Sequence, residues 1–136
     1  MCFISITLTA CSRRIINETD LPKRHVAIGS YGGFSGLNEK LIILKNGLVF
    51  KAQQMPGAKT EVKFYKLLPK KEVRQIFKTV KQIHFDSLAP VQTGNMNYYI
   101  DNNRLWFKDK HWQWGDNLDS SSVNFKSISQ LLKLVN

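Results

Sequence analysis

Three groupings of side chains in this chain of 136 residues could carry chemistry. The first is a row of cations. Lys70, Lys71, Arg74, Lys78 and Lys81 fall opposite Val73, Ile76, Phe77, Val80 and Ile83, whose spacing of three and four marks an amphipathic helix. Such a row can hold an acidic surface by charge alone, and it is also how a solvated helix face reads. No aromatic residues interleave with the charges as a nucleic-acid platform requires. The second grouping is Tyr99, Trp106 and Gln113, with Arg104 and His111 near them, which alternate along neighbouring strand-like runs. Aromatics beside polar groups suit a sugar, peptide or protein partner, unless a helix covers them. The third is Cys11, at the end of a short uncharged run.

Chemistry of other kinds has little to stand on. His25, His84 and His111 lie on separate elements without metal-ligand spacing, so neither a metal site nor a cofactor is expected. The nucleophile-elbow and zinc-protease patterns do not occur, and there is no CxxC. Asp86, Asp116 and Asp119 sit near element ends, and nothing in their spacing pairs two of them for acid–base work. A lack of catalytic residues is therefore the expectation.

The run Phe3 to Ala10 ends in Leu8-Thr9-Ala10-Cys11, and this tetrapeptide resembles the lipobox of bacterial lipoprotein signal peptides. The resemblance implies cleavage before Cys11, lipidation of that cysteine, and a tether over 12–24. No Lys or Arg precedes the apolar run, as a signal peptide would have it, so a start upstream of Met1 is one reading. The other is a half-buried strand, because Ile4, Ile6 and Leu8 alternate with Ser5, Thr7 and Thr9.

Composition sets the remaining bounds. The length suits one domain, here 25–136, and 43% hydrophobic with 22% charged residues is globular composition. Lys and Arg number 20 against 10 Asp and Glu, a net charge of +10 that favours anionic partners. For a lipid-anchored chain those cations would also hold the domain against an anionic membrane.

The elements that must position these groups are legible. His25 to Tyr31 reads as a strand running into the glycine-rich Gly32 to Gly36, a turn or bulge. Leu41 to Leu44 and Leu48 to Ala52 flank Lys45-Asn46-Gly47. With Asn46-Gly47 as a two-residue turn, Ile43 lies opposite Phe50 and Leu41 opposite Ala52, in a hairpin covered on both sides. Glu61 to Leu67 adds a strand, and a helix follows from Pro69 to about His84. Ala89 to Asn95 reads as a loop. Asn97 to Gly115 reads as a three-stranded meander turning at Asn102-Asn103 and Asp109-Lys110. Tyr98, Ile100, Leu105, Phe107, Trp112 and Trp114 then share its core face. A second helix, capped by Ser120, Ser121 or Ser122, carries the stripe Phe125, Ile128, Leu131, Leu132 and Val135. The expected fold is α+β, a mainly antiparallel sheet of about seven strands with two amphipathic helices packed on it.

The runs Tyr31-Gly32-Gly33-Phe34-Ser35-Gly36-Leu37, Lys45-Asn46-Gly47 and Trp112-Gln113-Trp114-Gly115-Asp116 resemble small lipoproteins of Bacteroidota. That resemblance spans most of the domain and brings no catalytic residues with it. The expectation is a non-enzymatic binding or interaction module, lipid-anchored on the periplasmic or surface face of a bacterial envelope, meeting an envelope protein, peptide or glycan. The alternatives are a soluble, cytoplasmic nucleic-acid-binding domain and, third, a hydrolase built on the loop aspartates.

Overall fold

The structure, a computed structural model, describes residues 18–87, 95–103 and 109–136. A short 3-10 turn, Glu18–Asp20, leads into β1 (His25–Gly32), β2 (Leu37–Leu44), β3 (Leu48–Gln54) and β4 (Glu61–Leu67). Helix α1 (Lys70–Lys81) follows, then β5 (Met96–Asn103), β6 (Lys110–Trp114) and helix α2 (Phe125–Val135). The strands form one sheet in the order β4-β3-β2-β1-β5-β6, each neighbouring pair antiparallel. The first four strands are a meander, and α1 then carries the chain back across the sheet so that β5 pairs with β1.

The α+β class stands, with six strands among the described residues. The middle strand expected in the second meander falls on 104–108, outside the described residues. Asn102 and Asn103 do not turn; they continue β5 and pair with Val26 and His25. β5 then pairs directly with β6, Ile100 opposite Trp112 and Tyr98 opposite Trp114. Tyr98, Ile100, Trp112 and Trp114 still share the expected face, because side chains alternate with a period of two whichever strand is the neighbour; Leu105 and Phe107 lie outside the described residues.

Both helices cover one face. Val73, Ile76 and Val80 of α1 and Ile128, Leu131 and Val135 of α2 pack with Val26, Ile28, Ile43, Val49, Ile100, Trp112 and Trp114. On the other face Ala27, Ile42, Leu44, Phe50, Ala52 and Val62 form a second apolar cluster, with Leu21 and Leu48 against it. The β2–β3 hairpin is thus buried on both faces, but its register differs from expectation by one residue. Ile43 faces Val49 and Ile42 faces Phe50, which leaves a three-residue turn at Lys45-Asn46-Gly47. A two-residue type I′ turn needs positive φ at both centres. Here only Gly47 has it, at +93°, and no described non-glycine residue does. The slip moves Phe50 and Ala52 to the face opposite Ile43, as a one-residue shift must.

Helix α2 starts at Phe125, later than the serines suggested, and Phe125 is partly exposed rather than in the stripe. Asp119 accounts for the delay: its carboxylate accepts from the Ser121 N–H and hydroxyl at 2.9 and 2.7 Å, fixing a turn where the helix would have begun. Asn124 stands at the N-cap position but makes no capping bond, because its side chain is used elsewhere.

Candidate functional site

The cationic row is the grouping that the fold develops. Arg74, Lys78 and Lys81 of α1 come together with Arg24 and Lys45 around a cavity of about 310 Å³, floored by Val73 and Phe77. Strand parity explains the two additions. Arg24 lies two residues before Val26 and Lys45 two after Ile43, so both keep the parity of the face that the helices cover. His25 pairs with Leu44, which brings the start of β1 beside the end of β2. The spacing of Arg74, Lys78 and Lys81 aligns them along one edge of α1. Lys70 and Lys71, expected in the same row, belong to the exposed first turn and do not line the cavity.

The turn that carries Lys45 is held in place. Gly47 N–H donates to Leu44 O at 3.0 Å, and Gly47 O accepts from Leu68 N–H at 2.9 Å, just before α1. Asn46 Oδ1 accepts from Leu48 N–H at 3.1 Å. The five cations therefore come from three segments, the entry to β1, the β2–β3 turn and α1. Among the described residues no carboxylate lines the cavity; Glu39 pairs with Lys51, Glu61 with Lys63, Asp86 with Lys110 and Asp101 with His111, all away from it. The crowding is felt at Lys45. Loss of solvation, then the charges of Arg24 and Lys81, hold its ammonium below the usual lysine range. Lys78 and Lys81 gain from the negative end of α1, which offsets part of the repulsion along the helix.

The aromatic grouping has a different outcome. Tyr99, Gln113 and His111 lie on the face opposite the helices, so α2 does not cover them; the helices cover Ile100, Trp112 and Trp114 instead. Yet the described part of this surface is occupied with itself. Tyr99 is buried, its hydroxyl donates to Asn38 Oδ1 at 3.0 Å, and its ring lies against Tyr31 and His111. Gln113 Oε1 accepts from the Tyr31 hydroxyl at 3.2 Å, and His111 Nδ1 meets Asp101 at 2.5 Å. Trp106, Arg104 and Cys11 lie outside the described residues.

The remaining reactive groups have structural duties. His25 Nδ1 donates to Pro22 O at 2.8 Å and its Nε2 accepts from Asn103 Nδ2 at 2.6 Å, which fixes the tautomer. Asp116 accepts from Met96 N–H at 3.1 Å, Asp86 pairs with Lys110 at 3.4 Å, and Asp119 holds its turn. The three loop aspartates are not brought together. Among the described residues no three of His, Cys, Asp and Glu gather where they could hold a metal, and no helix is long and apolar enough to cross a membrane.

Comparison of the chain with protein-family models and with curated sequences gives no match. The site is therefore read from its own residues. Sequence spacing pointed to Arg74, Lys78 and Lys81; it passed over Arg24, read as tether, and Lys45, read as turn. The signal that would have found both is their parity with Val26 and Ile43.

Proposed function

We propose that this chain is a lipid-anchored protein of the bacterial cell envelope that acts as a non-enzymatic binding module for an anionic ligand. The observation that carries the binding reading is the convergence of Arg24, Lys45, Arg74, Lys78 and Lys81 on an apolar floor, with no described carboxylate in the lining. Like charges gathered on a fixed frame cost stability, and an anion recovers that cost on binding. The anchor reading rests on Leu8-Thr9-Ala10-Cys11. It also suits the site's position, because Arg24 is both a pocket residue and the point at which the N-terminal segment meets β1. A lipid on Cys11 would tether the chain on the cationic end of the sheet. One acyl chain holds a protein marginally, and two or more with a basic patch hold it stably.

The deciding measurement is the intact mass of the chain from membrane and soluble fractions, expressed from its native locus beside Cys11→Ala. A species beginning at Cys11 with added acyl mass, absent from the variant, supports the anchor. An unmodified soluble chain that keeps residues 1–10 overturns it.

The cationic end also gives specific support to a second reading, a soluble nucleic-acid-binding domain. Retention on single-stranded DNA or RNA that falls steeply with salt would favour it. Phe77 is half-buried in the pocket floor, a poor stacking platform, so the pocket favours a compact anion over an extended strand.

A further inference from the structure

We infer that the pocket between α1 and the β2–β3 turn binds a phosphomonoester carried on an apolar group, the phosphate among Arg24, Lys45 and Lys81 and the apolar part on Phe77 and Val73. This deepens the anion-binding reading above and rests on it.

Three features select this chemistry. First, the donors are of two kinds that phosphate uses together. Two guanidiniums offer planar, paired N–H groups, and three ammoniums act as mobile point charges. A carboxylate with a single charge would leave most of these cations unmatched, whereas a phosphomonoester carries close to two negative charges at neutral pH. Second, the floor is apolar. Phe77 and Val73 provide a hydrocarbon surface beneath the ring of charge, where a bare inorganic anion would cover nothing. The stems of Lys78 and Lys81 add to that surface while their ammoniums stay at the rim. Third, the size is right for one group of this kind. A cavity of about 310 Å³ lies at the small end of the range for ligand pockets, room for a phosphate with a ring or the first part of a chain.

The crowding at Lys45 agrees with this arrangement. Its ammonium is destabilised by loss of solvation and then by Arg24 and Lys81, two cations of the same lining, and an incoming dianion relieves both repulsions at once. A lipid headgroup and a soluble phosphorylated metabolite share this chemistry, and the experiment separates them.

The full chain is titrated with 1-naphthyl phosphate, with inorganic phosphate and 1-naphthol as the two halves of the probe, following backbone amide shifts at low salt. The expected result is saturable binding of 1-naphthyl phosphate at least tenfold tighter than either half, with shifts centred on Arg24, Lys45, Phe77 and Lys81. Lys45→Gln and Lys81→Gln should each weaken it at least fivefold while leaving shifts in β5 and β6 unchanged, which shows that the variants are folded. Capture on phosphatidylcholine vesicles containing phosphatidic acid, reversed by 1-naphthyl phosphate, identifies the lipid source. Binding of the soluble probe without vesicle capture identifies a soluble one. Equal affinity for inorganic phosphate and the naphthyl ester overturns the inference, as do shifts centred on Lys70 and Lys71. A chain acylated at Cys11 that fails these titrations leaves the anchor standing, and an unacylated chain that passes them leaves the pocket standing.

Discussion

Gly47 O accepts a hydrogen bond from Leu68 N–H at 2.9 Å, and that bond ties the turn bearing Lys45 to the entry of the helix bearing Arg74, Lys78 and Lys81. A β-carbon at Gly47 would stand 2.6 Å from Leu68 O, at a φ of +93° that L-residues rarely adopt. Gly47→Ala should therefore cost about 2–3 kcal/mol in urea unfolding, backbone strain and the lost clamp together. It should also weaken anion binding although no cation is removed. Unchanged affinity in the folded variant would show that Lys45 reaches the pocket without this bond.

Asn124 plays the matching role at the other side of the helical layer. Its Oδ1 accepts from His84 N–H at 2.7 Å, and its Nδ2 donates to His84 O at 3.1 Å and to Ser87 Oγ at 3.2 Å. A fully buried amide thus satisfies both backbone groups of His84 and joins the segment after α1 to the start of α2. Asn124→Ala leaves the His84 N–H without its partner, while His84 O keeps the Ser87 N–H at 3.2 Å and hydroxyl at 2.7 Å, and should cost about 1–3 kcal/mol. Asn124→Asp should be at least as damaging, since an ionised carboxylate cannot donate to His84 O and is costly to bury. Chemical denaturation of the two variants ranks them; a loss below about 1 kcal/mol in both would mean that water replaces the amide.

These two ties explain how far the sequence could be read. Elements followed from periodicity, since a period of two or of 3.6 is local information: each described strand and both helices overlap the run where the apolar pattern puts them, although β2 starts earlier, β5 ends later and α2 starts later than that pattern suggests. Register did not follow. Asn-Gly signals a turn, yet whether two or three residues form it depends on Asn46 φ, and one residue's difference reversed the facing of Phe50 and Ala52. The candidate site was half legible for the same reason. Arg74, Lys78 and Lys81 are neighbours along one helix, whereas Arg24 and Lys45 join them only once β1 is paired with β2 and the turn is tied to Leu68. Asn124 shows the limit most plainly. Its position signals a helix cap, and its actual partner lies 40 residues away, which no local pattern encodes.

On the opposite face the Tyr99 ring lies across Gly29. A β-carbon there would stand 2.6 Å from Tyr99 Cζ and Oη and 2.7 Å from Glu39 O. Gly29→Ala must push the ring off its bond to Asn38 or shift the sheet, at a cost of about 1–3 kcal/mol. Tyr99→Phe keeps the ring and loses the bond, and should cost about 1 kcal/mol. The double variant should cost less than the sum of the two, because the hydrogen bond can be lost only once. A strictly additive pair in denaturant titrations would show that Gly29 does not act through Tyr99.

Asp119 gives a pH test of the turn that delays α2. Bonds from the Ser121 N–H and hydroxyl hold its carboxyl below the usual carboxylate range, against a smaller opposing effect of desolvation. Because the folded value is depressed, its contribution is present above the unfolded midpoint and is lost as pH falls through the folded one. Carboxyl-carbon NMR should show Asp119 titrating late on acidification, with the Ser121 amide shift following it. In Ser121→Ala the midpoint should move up, partway only, because the backbone bond remains.

Lys45 has the opposite sign and reports on the pocket itself. Its midpoint is depressed in the folded chain, so the folded state sheds this proton before the unfolded state does. Stability should rise with pH between the folded and unfolded midpoints, and the full penalty of the charged form applies below both. Direct side-chain NMR should place Lys45 below a lysine in an unfolded peptide. Lys81→Gln or Arg24→Gln should raise the midpoint by removing a repelling charge. A bound phosphomonoester should raise it further, since the dianion favours the ammonium; by linkage, binding on the alkaline side of the free midpoint should take up protons. Calorimetry in two buffers of different ionisation enthalpy measures that uptake. Its absence, beside normal affinity, would place the anion away from Lys45 and shift the phosphate toward Arg74 and Lys78.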